Sequence, residues 1–257
     1  MITVLSYNIL EGGADRFEEI VAVVKAVKPD ILCLQEVNGW EQDDWHTLKL
    51  FAFKTGFKTY ELGQANNSDY HVATFSKLPI LFHQTFIGIQ NASLHMVVDT
   101  SVGELSICNA HLSPYEEHYR VEEVEKILKS QLKYKHSMIV GDLNSLSFHD
   151  GYKNDLASSF NMTQLKKFTK GGRLTFDTIV KIEGQQYKDV GVLKKQNLTT
   201  TVPTISSHDM AHNTPLRLDY AFVSQALSTR IYSYEVLKNK QTDIASDHYP
   251  LIVKIIV

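Results

Sequence analysis

Residues 137–145 read SMIVGDLNS, an apolar run that ends in a glycine and is followed by an aspartate and an asparagine two positions apart. The apolar run is typical of the end of a buried β-strand. Because side chains alternate between the two faces of a strand, Asp142 and Asn144 share one face if the strand continues to Asn144. Gly, Asp, Asn and Ser are also turn residues. The segment alone therefore allows two interpretations, a plain turn or a pair of functional side chains at a strand end.

Polar side chains recur near the ends of other apolar runs along the chain. These runs predict strands at residues 2–9, 31–37, 104–111, 217–224 and 248–257. A carboxylate inside such a run is costly to bury without a partner, and turns alone do not readily explain the whole set. The polar residues concerned are Asn8, Glu36, Asn109, His111, Asp142, Asn144, Asp219, Asp247 and His248.

Helices are predicted between these strands, including a short one around residues 45–55. Asp15 and Glu18 have the spacing of a capping box before an apolar stripe. The longest helix is expected after the SPYE segment, with Ser113 as its cap and Glu116 closing the box. Further strands are expected at residues 72–76, 80–89 and 94–100, and Gly103 predicts a hairpin. Many strands with a few good helices favour two packed sheets covered by helices.

The chain is predicted to form a single domain over residues 1–257, since it shows no repeat, low-complexity tract or linker. Residues 150–215 are rich in Lys, Thr and Asn and are hard to assign. Cys33 and Cys108 lie in apolar runs, which favours buried free thiols. No apolar run has the length of a membrane span, and the start does not resemble a signal peptide, so a cytoplasmic protein without a transmembrane segment is expected.

Charge limits the kind of partner. The formal net charge is −3 and the pI is near 6.4. These values do not suggest a large basic face for duplex nucleic acid, although a local basic groove stays open.

The strand-end residues suit hydrolysis of a phosphoester. A hard cation such as Mg²⁺ prefers one or two carboxylates together with water and phosphate oxygens, which Glu36 and Asp247 could complement. An aspartate can take a proton from the attacking water while Asn144 holds that water in line. A histidine paired with an aspartate keeps one tautomer and can carry positive charge against the phosphate.

The ordered motifs SYNIL (6–10), LQEV (34–37), NAHL (109–112), GDLN (141–144), RLDYAFVS (217–224) and SDHYP (246–250) resemble those of the endonuclease/exonuclease/phosphatase superfamily. That superfamily includes pancreatic-type deoxyribonucleases, abasic-site endonucleases, neutral sphingomyelinases, inositol polyphosphate 5-phosphatases and tyrosyl-DNA phosphodiesterases. The resemblance implies an α/β fold, a four-layer αββα sandwich of two mixed, mostly antiparallel sheets flanked by helices, with the site at one end of the sheets.

The resemblance also implies a role for each motif residue. Glu36 would be the main ligand of Mg²⁺ or Mn²⁺, with Asn8 beside it and Asp247 near the metal. Asp142 would activate or orient the water, and Asn144 would assist. The remaining three would act on the phosphate: His248 by contact with the scissile group, Asp219 by orienting His248, and His111 as a second phosphate-binding imidazole.

Two positions depart from part of the superfamily. An acid often lies two residues after the first-motif asparagine in the abasic-site and tyrosyl-DNA branches, and here that position is Leu10. A tryptophan commonly precedes the same asparagine, and here it is Tyr7. These departures favour the deoxyribonuclease, sphingomyelinase and general bacterial-type members.

Four further features each have two interpretations. His208, Asp209 and His212 are either metal ligands or part of a substrate-facing loop. Tyr115, His118, Tyr119 and Arg120 form either a substrate contact or a solvated helix start. The TKGGR segment (169–173) is either a phosphate loop or a plain turn, and Trp40 and Trp45 either stack on substrate or pack in the core.

The predicted function is a Mg²⁺- or Mn²⁺-dependent phosphoesterase, a phosphodiesterase or a phosphatase. Its substrate is expected to be nucleic acid, a small phosphorylated molecule or a phospholipid headgroup, and the weak charge favours a small or single-stranded one. The alternatives are a DNA repair or degradative nuclease of the same superfamily and a non-catalytic binding protein on the same fold. The oligomeric state is not predicted.

Overall fold

A computed structural model of the chain describes residues 1–153, 155–207 and 213–257. Most of the described strands form two mixed six-stranded sheets. The first sheet has the order β13-β14-β1-β2-β4-β3, with β1 Ile2–Asn8, β2 Ile31–Gln35, β3 Thr59–Gly63, β4 Val72–Ser76, β13 Ile231–Val236 and β14 Leu251–Ile255. The second has the order β11-β12-β8-β7-β6-β5, with β5 Ile80–Thr85, β6 Ser93–Thr100, β7 Gly103–His111, β8 His136–Asp142, β11 Lys188–Asp189 and β12 Asp219–Val223.

Each sheet has a parallel pair at its centre. In the first sheet β1 pairs in parallel with β2, and in the second β7 pairs in parallel with β8, whereas the other described pairs in the two sheets are antiparallel. The crossovers run through α1 (Phe17–Val27) and α3 (Glu117–Gln131). Because parallel strands end at the same edge, the residues after β1, β2, β7 and β8 gather at one end of the sandwich.

The two sheets pack face to face, and side-chain alternation decides what meets between them. The core between the sheets contains Val4, Cys33, Ile107 and Val140. Side chains at the alternate strand positions, such as Leu34, face the helices. Two residues further along each strand, this inner face turns polar. The alternation therefore carries the functional side chains into the space between the sheets at their carboxyl end.

Helices cover the outer faces, which confirms the predicted α/β sandwich. They are α1 and α3 with α2 Gln42–Thr55, α4 Met162–Phe168, α5 Asp177–Gly184, α6 Val190–Leu193, α7 Gln225–Ser228 and α8 Thr242–Ala245. In the described part of the chain, 3₁₀ turns also lie at Glu11–Arg16, Phe148–Asp150 and Leu156–Ser159.

Both predicted capping boxes were wrong. The first α-helix begins at Phe17, after the 3₁₀ turn, so Asp15 and Glu18 do not cap it. The longest helix begins at Glu117 and not at Pro114, because Ser113 is buried in a turn where its Oγ accepts a hydrogen bond from the Tyr115 amide at 3.2 Å.

Other sequence predictions concern a hairpin, the strands near it, the TKGGR segment and the two cysteines. The predicted hairpin at Gly103 is confirmed, and its φ of 97° explains the glycine. The predicted strand at residues 80–89 is shorter, and β3 was not predicted. TKGGR is a tight hairpin between β9 (Thr169–Lys170) and β10 (Arg173–Leu174), which is the plain-turn interpretation. Both cysteines are buried free thiols, as predicted.

The segment that the sequence left unassigned contains mainly short helices, including α4 and α5. Among the described residues, no helix has the length and apolarity to cross a membrane.

Candidate active site

A cavity of about 630 Å³ opens where the four central strands end. It lies on the inner face of the sheets and extends under α4 and α8. Its lining includes carboxylates from both sheets, two cations and several amides and hydroxyls: Glu11, Arg16, Glu36, Tyr70, Asn91, His111, Asp142, Asn144, Gln164, Lys167, Ser246 and Asp247.

Asn8 ties the two sheets together at the cavity floor. Its Nδ2 donates to Glu36 Oε1 at 2.9 Å and to Asp142 Oδ2 at 3.2 Å. Its Oδ1 accepts from the Leu10 amide at 3.1 Å. Asn8 thus presents its N–H group to both carboxylates and holds them at a short distance from each other, although like charges repel.

Glu36 reaches the cavity through an unusual backbone conformation. It follows the last residue of β2 and has a φ of 61°, in the left-handed region that few non-glycine residues occupy. Its Oε2 accepts from the Glu11 amide at 3.1 Å, which fixes the carboxylate. This strained backbone conformation therefore directs the Glu36 side chain into the cavity.

His111 completes a group of possible cation ligands. Its Nε2 lies 3.8 Å from Glu36 Oε1 and 3.6 Å from Asp142 Oδ2. One ligand atom from each of Glu36, His111 and Asp142 lies within 4.8 Å of the others. Burial lowers the pKa of His111, and the charges of Asp142 and Glu36 oppose this only in part. The two carboxylates are oxygen donors of the kind that Mg²⁺ or Mn²⁺ prefers, and the neutral imidazole lies beside them.

Asn144 lies in the cavity for a different reason from the one the strand pattern suggested. The strand ends at Asp142, and Asn144 has a φ of 50°. Its amide donates to Asp142 Oδ1 at 2.8 Å, and its Nδ2 donates to the Leu112 carbonyl at 2.9 Å. The turn and the functional interpretations of GDLN therefore both hold, since the turn itself places Asn144 beside Asp142.

His248 and Asp219 form a buried pair beside this group. His248 Nδ1 lies 2.8 Å from Asp219 Oδ2, and its Nε2 lies 3.9 Å from Asp142 Oδ2. Asp219 stands directly opposite Asp142 in the β12–β8 register. Burial alone would lower the pKa of His248, but the charges of Asp219 and Asp247 hold it well above its usual range. The imidazole is therefore positively charged at neutral pH.

Asp247 lines the same cavity but is not part of the group of three. Its Oδ1 accepts from Ser246 Oγ at 3.3 Å, and the same hydroxyl donates to the Asn8 carbonyl at 2.7 Å. The structure thus brings all the predicted site residues to one end of the sandwich. Their roles stay predictions.

Several cavity residues were missed from the sequence. Lys167 on α4 donates from Nζ to Asn144 Oδ1. Tyr70 and Asn91 come from loops of the two sheets, and Asn91 Nδ2 lies 3.3 Å from His111 Nε2. No local pattern marks these residues, because they reach the cavity only through the packing of segments far apart in the chain.

Other residues that stood out in the sequence lie elsewhere. Asn109 is buried between the sheets, where it accepts from Gln35 Nε2 at 2.7 Å and donates to main-chain carbonyls of the first sheet. Trp40 packs on Phe51, with ring centroids 5.0 Å apart, as a core residue. Arg120 is fully buried and not at a solvated helix start. His208, Asp209 and His212 lie outside the described residues.

Comparison with known proteins agrees with the fold and identifies the family. A family model described as "Endonuclease/Exonuclease/phosphatase family" matches residues 5–248. A search of curated proteins found no match. Two solved structures are similar over the full length of both chains. One is an endonuclease/exonuclease/phosphatase family protein from Leptotrichia buccalis, with a TM-score of 0.70 and 16% identity. The other is a variant of the 3′ phosphatase NExo from Neisseria bound to a product DNA hairpin, with a TM-score of 0.71 and 14% identity.

Proposed function

The chain belongs to the endonuclease/exonuclease/phosphatase family, and we propose that it hydrolyses phosphoester bonds with the help of Mg²⁺ or Mn²⁺. One observation carries this proposal. The two carboxylates and the imidazole of Glu36, Asp142 and His111 line the cavity, and the charged His248–Asp219 pair lies beside them, with His248 Nε2 3.9 Å from Asp142 Oδ2. Such a site offers two positive charges to a phosphate, a bound metal cation and the imidazolium of His248. Positive charge of this kind stabilises the transition state of phosphoester hydrolysis.

Glu36 would be the main ligand of the cation and the neighbouring Asp142 would face the attacking water, with Asp247 on the adjoining wall. Asn8 positions the first two carboxylates through its Nδ2. When bound, a divalent cation supplies positive charge against the phosphate oxygens as the transition state develops. The Glu11 amide holds Glu36 Oε2, which fixes the direction of this carboxylate.

Asp142 is the residue placed to accept a proton from the attacking water. One of its oxygens, Oδ2, faces the group of possible ligands, whereas Oδ1 is held by the Asn144 amide. Asn144 Oδ1 retains acceptor capacity beyond its bond with Lys167 and can hold the water in line with the scissile bond. The water oxygen then forms the new bond to phosphorus while the ester oxygen departs.

His248 would contact the phosphate directly. Asp219 binds its Nδ1, so Nε2 is directed toward Asp142 and the cavity floor. The raised pKa keeps a proton on that nitrogen, and a charged donor to a phosphate oxygen stabilises the transition state more than a neutral one does.

A nuclease of the same family is the second candidate. The similar structure of NExo from Neisseria binds a DNA hairpin, which brings nucleic-acid ends into consideration. A cavity of about 630 Å³ and a net charge of −3 favour a small phosphorylated molecule or a strand end over a long duplex.

The test is hydrolysis of a phosphoester panel by the purified protein with Mg²⁺, with Mn²⁺ and with EDTA. The panel contains an aryl phosphate, an aryl diester, nucleotides, a phospholipid headgroup, and single-stranded and plasmid DNA. Glu36→Gln and His248→Ala are the site variants, and His83→Ala, an exposed histidine, is the control. Metal-dependent turnover is expected in the wild type and the control, with a loss of about 10²- to 10³-fold in each site variant. Turnover that survives both EDTA and Glu36→Gln would refute the proposal.

A further inference from the structure

Lys167 is a buried lysine that faces the cavity. It lies at the end of α4 with 6% of its surface exposed, while its neighbour Lys166 is exposed. Its Nζ donates to Asn144 Oδ1 and lies 5.1 Å from the centroid of the Phe168 ring. A lysine is rarely buried to this extent, because removing an ammonium group from water is costly.

The main chain of Lys167 is fixed by a second buried cation. Arg120 Nη2 donates to the Lys167 carbonyl at 2.6 Å. The same guanidinium donates from Nε to Ser145 Oγ at 3.0 Å and from Nη1 to the Ser113 carbonyl at 3.1 Å. Ser145 follows Asn144, and Ser113 lies two residues after His111. Arg120 therefore holds Lys167 in one frame with the two segments that carry these site residues.

The other cation of the cavity lining is used differently. Arg16 donates to the main-chain carbonyls of Ile9, Leu10 and Ala245, at 3.1, 2.6 and 2.8 Å. Its guanidinium thus joins two loops at the rim. Lys167 instead directs its ammonium group at the amide proposed to hold the attacking water, which is where a phosphate would lie.

We propose that Lys167 is a substrate-binding residue that donates to a non-bridging phosphate oxygen and makes the site prefer phosphomonoesters over phosphodiesters. The inference rests on the proposed function and names its substrate class. A phosphomonoester carries about −1.5 to −2 charges near neutral pH, whereas a diester carries about −1. A fixed buried ammonium beside Asn144 favours the more highly charged group.

The kinetic test compares an aryl phosphate with the corresponding aryl diester. Lys167→Met is expected to lower kcat/KM for the monoester by about 100-fold and for the diester by less than about 10-fold, because the lost charge acts most on the dianion. Lys167→Arg, which keeps the charge, should restore part of the preference. Lys166→Met, the same change at the exposed neighbour, should leave both values unchanged. Equal losses on the two substrates in Lys167→Met would overturn the inference.

A binding test keeps this inference separate from the proposed function. Inorganic phosphate is titrated by calorimetry into the wild type, Lys167→Met and Lys166→Met in the presence of Mg²⁺, after thermal melts have shown that each is folded. The dissociation constant should rise about 10- to 100-fold in Lys167→Met alone. If the wild type turns over nothing but this rise is seen, the phosphate contact stands and hydrolysis fails. If the enzyme is active and phosphate binding is unchanged in Lys167→Met, hydrolysis stands and the contact fails.

Discussion

Two groups of buried charges lie at the same end of the sandwich and differ in their balance. At the cavity floor, the carboxylates of Glu36 and Asp142 face each other with His111 between them. Arg217, two residues before β12, is paired with two carboxylates: its Nη2 lies 2.6 Å from Asp150 Oδ1 and 2.6 Å from Asp189 Oδ2. The first group borders a cavity, and the second is closed by side chains that contact it directly.

The contrast shows how buried charge that serves structure differs from buried charge that serves chemistry. Burial would lower the pKa of Arg217, but Asp189 and Asp150 help to raise it well above its usual range, so that a permanent cation of the chain itself offsets part of the charge of the two carboxylates. The floor group has an excess of negative charge that the folded chain itself creates. Such an excess is costly unless a cation completes it. The sequence does not separate the two kinds of charge, since the RLDY motif contains both Arg217 of the closed cluster and Asp219, the partner of His248 beside the cavity.

The largest effect is expected from breaking the closed cluster. Arg217→Met leaves two buried carboxylates without their cation and should lower the free energy of unfolding by about 3–5 kcal/mol. Urea denaturation measures this, with Arg173→Met, at an exposed arginine, as the control. A loss no greater than that of the control would mean that the Arg217 cluster contributes nothing to stability.

Protonation of another buried side chain, His95, should make the free energy of unfolding depend on pH. Its Nε2 lies 2.8 Å from Ser106 Oγ, and burial, with the charge of Lys133, lowers its pKa from 6.5 to about 4. The unfolded chain therefore takes up a proton below pH 6.5 that the folded chain refuses until about pH 4, so stability is lost as the pH falls through this window. The loss should total about 3 kcal/mol, at 1.36 kcal/mol for each pH unit.

Denaturation at several pH values between 7 and 4 tests this, with His95→Gln beside His83→Gln, an exposed histidine on the neighbouring strand. The acid-dependent loss should shrink in His95→Gln and persist in His83→Gln. The same slope in both variants would contradict the assignment to His95.

The open group should respond to a cation where the closed one does not. Mg²⁺ or Mn²⁺ at 100 times its dissociation constant should raise the free energy of unfolding by about 2.7 kcal/mol. Glu36→Gln should lose this gain, whereas Lys181→Met, a surface change, should keep it. Thermal melts at several metal concentrations give the measurement, and a gain that is unchanged in Glu36→Gln would place the cation elsewhere.

The smallest effect is expected for an exposed pair. Lys181 and Glu125 form an ion pair between α5 and α3, with 37% and 41% of their side chains exposed. Solvent screens such a pair, so Lys181→Met should lower the free energy of unfolding by no more than the Arg173→Met control does. Urea denaturation of Lys181→Met and Arg217→Met measures the contrast between exposed and buried charge. A comparable loss of stability in the two variants would contradict that contrast.

Much of the fold was predictable because its signals are local. Alternating and continuous apolar runs located most of the strands, and the glycine at position 103 located a hairpin. The helix starts were not predictable in the same way. Asp15 and Ser113 have the right spacing for caps, but a 3₁₀ turn and a buried turn use these positions instead. Local propensity was overridden there by the packing of the segments that lead to the site.

The sequence by itself determined the polar residues at the strand ends and the order of the motifs that places the chain in its family. Strand alternation and the shared direction of parallel strands are enough to send Asn8, His111 and Asp142 to one edge. Only the tertiary structure decided that Lys167 and Arg120 join that edge, because they come from helices whose positions depend on contacts across the chain. It also separated the open group from the closed one, since a cavity is a property of packing and leaves no mark in a local pattern.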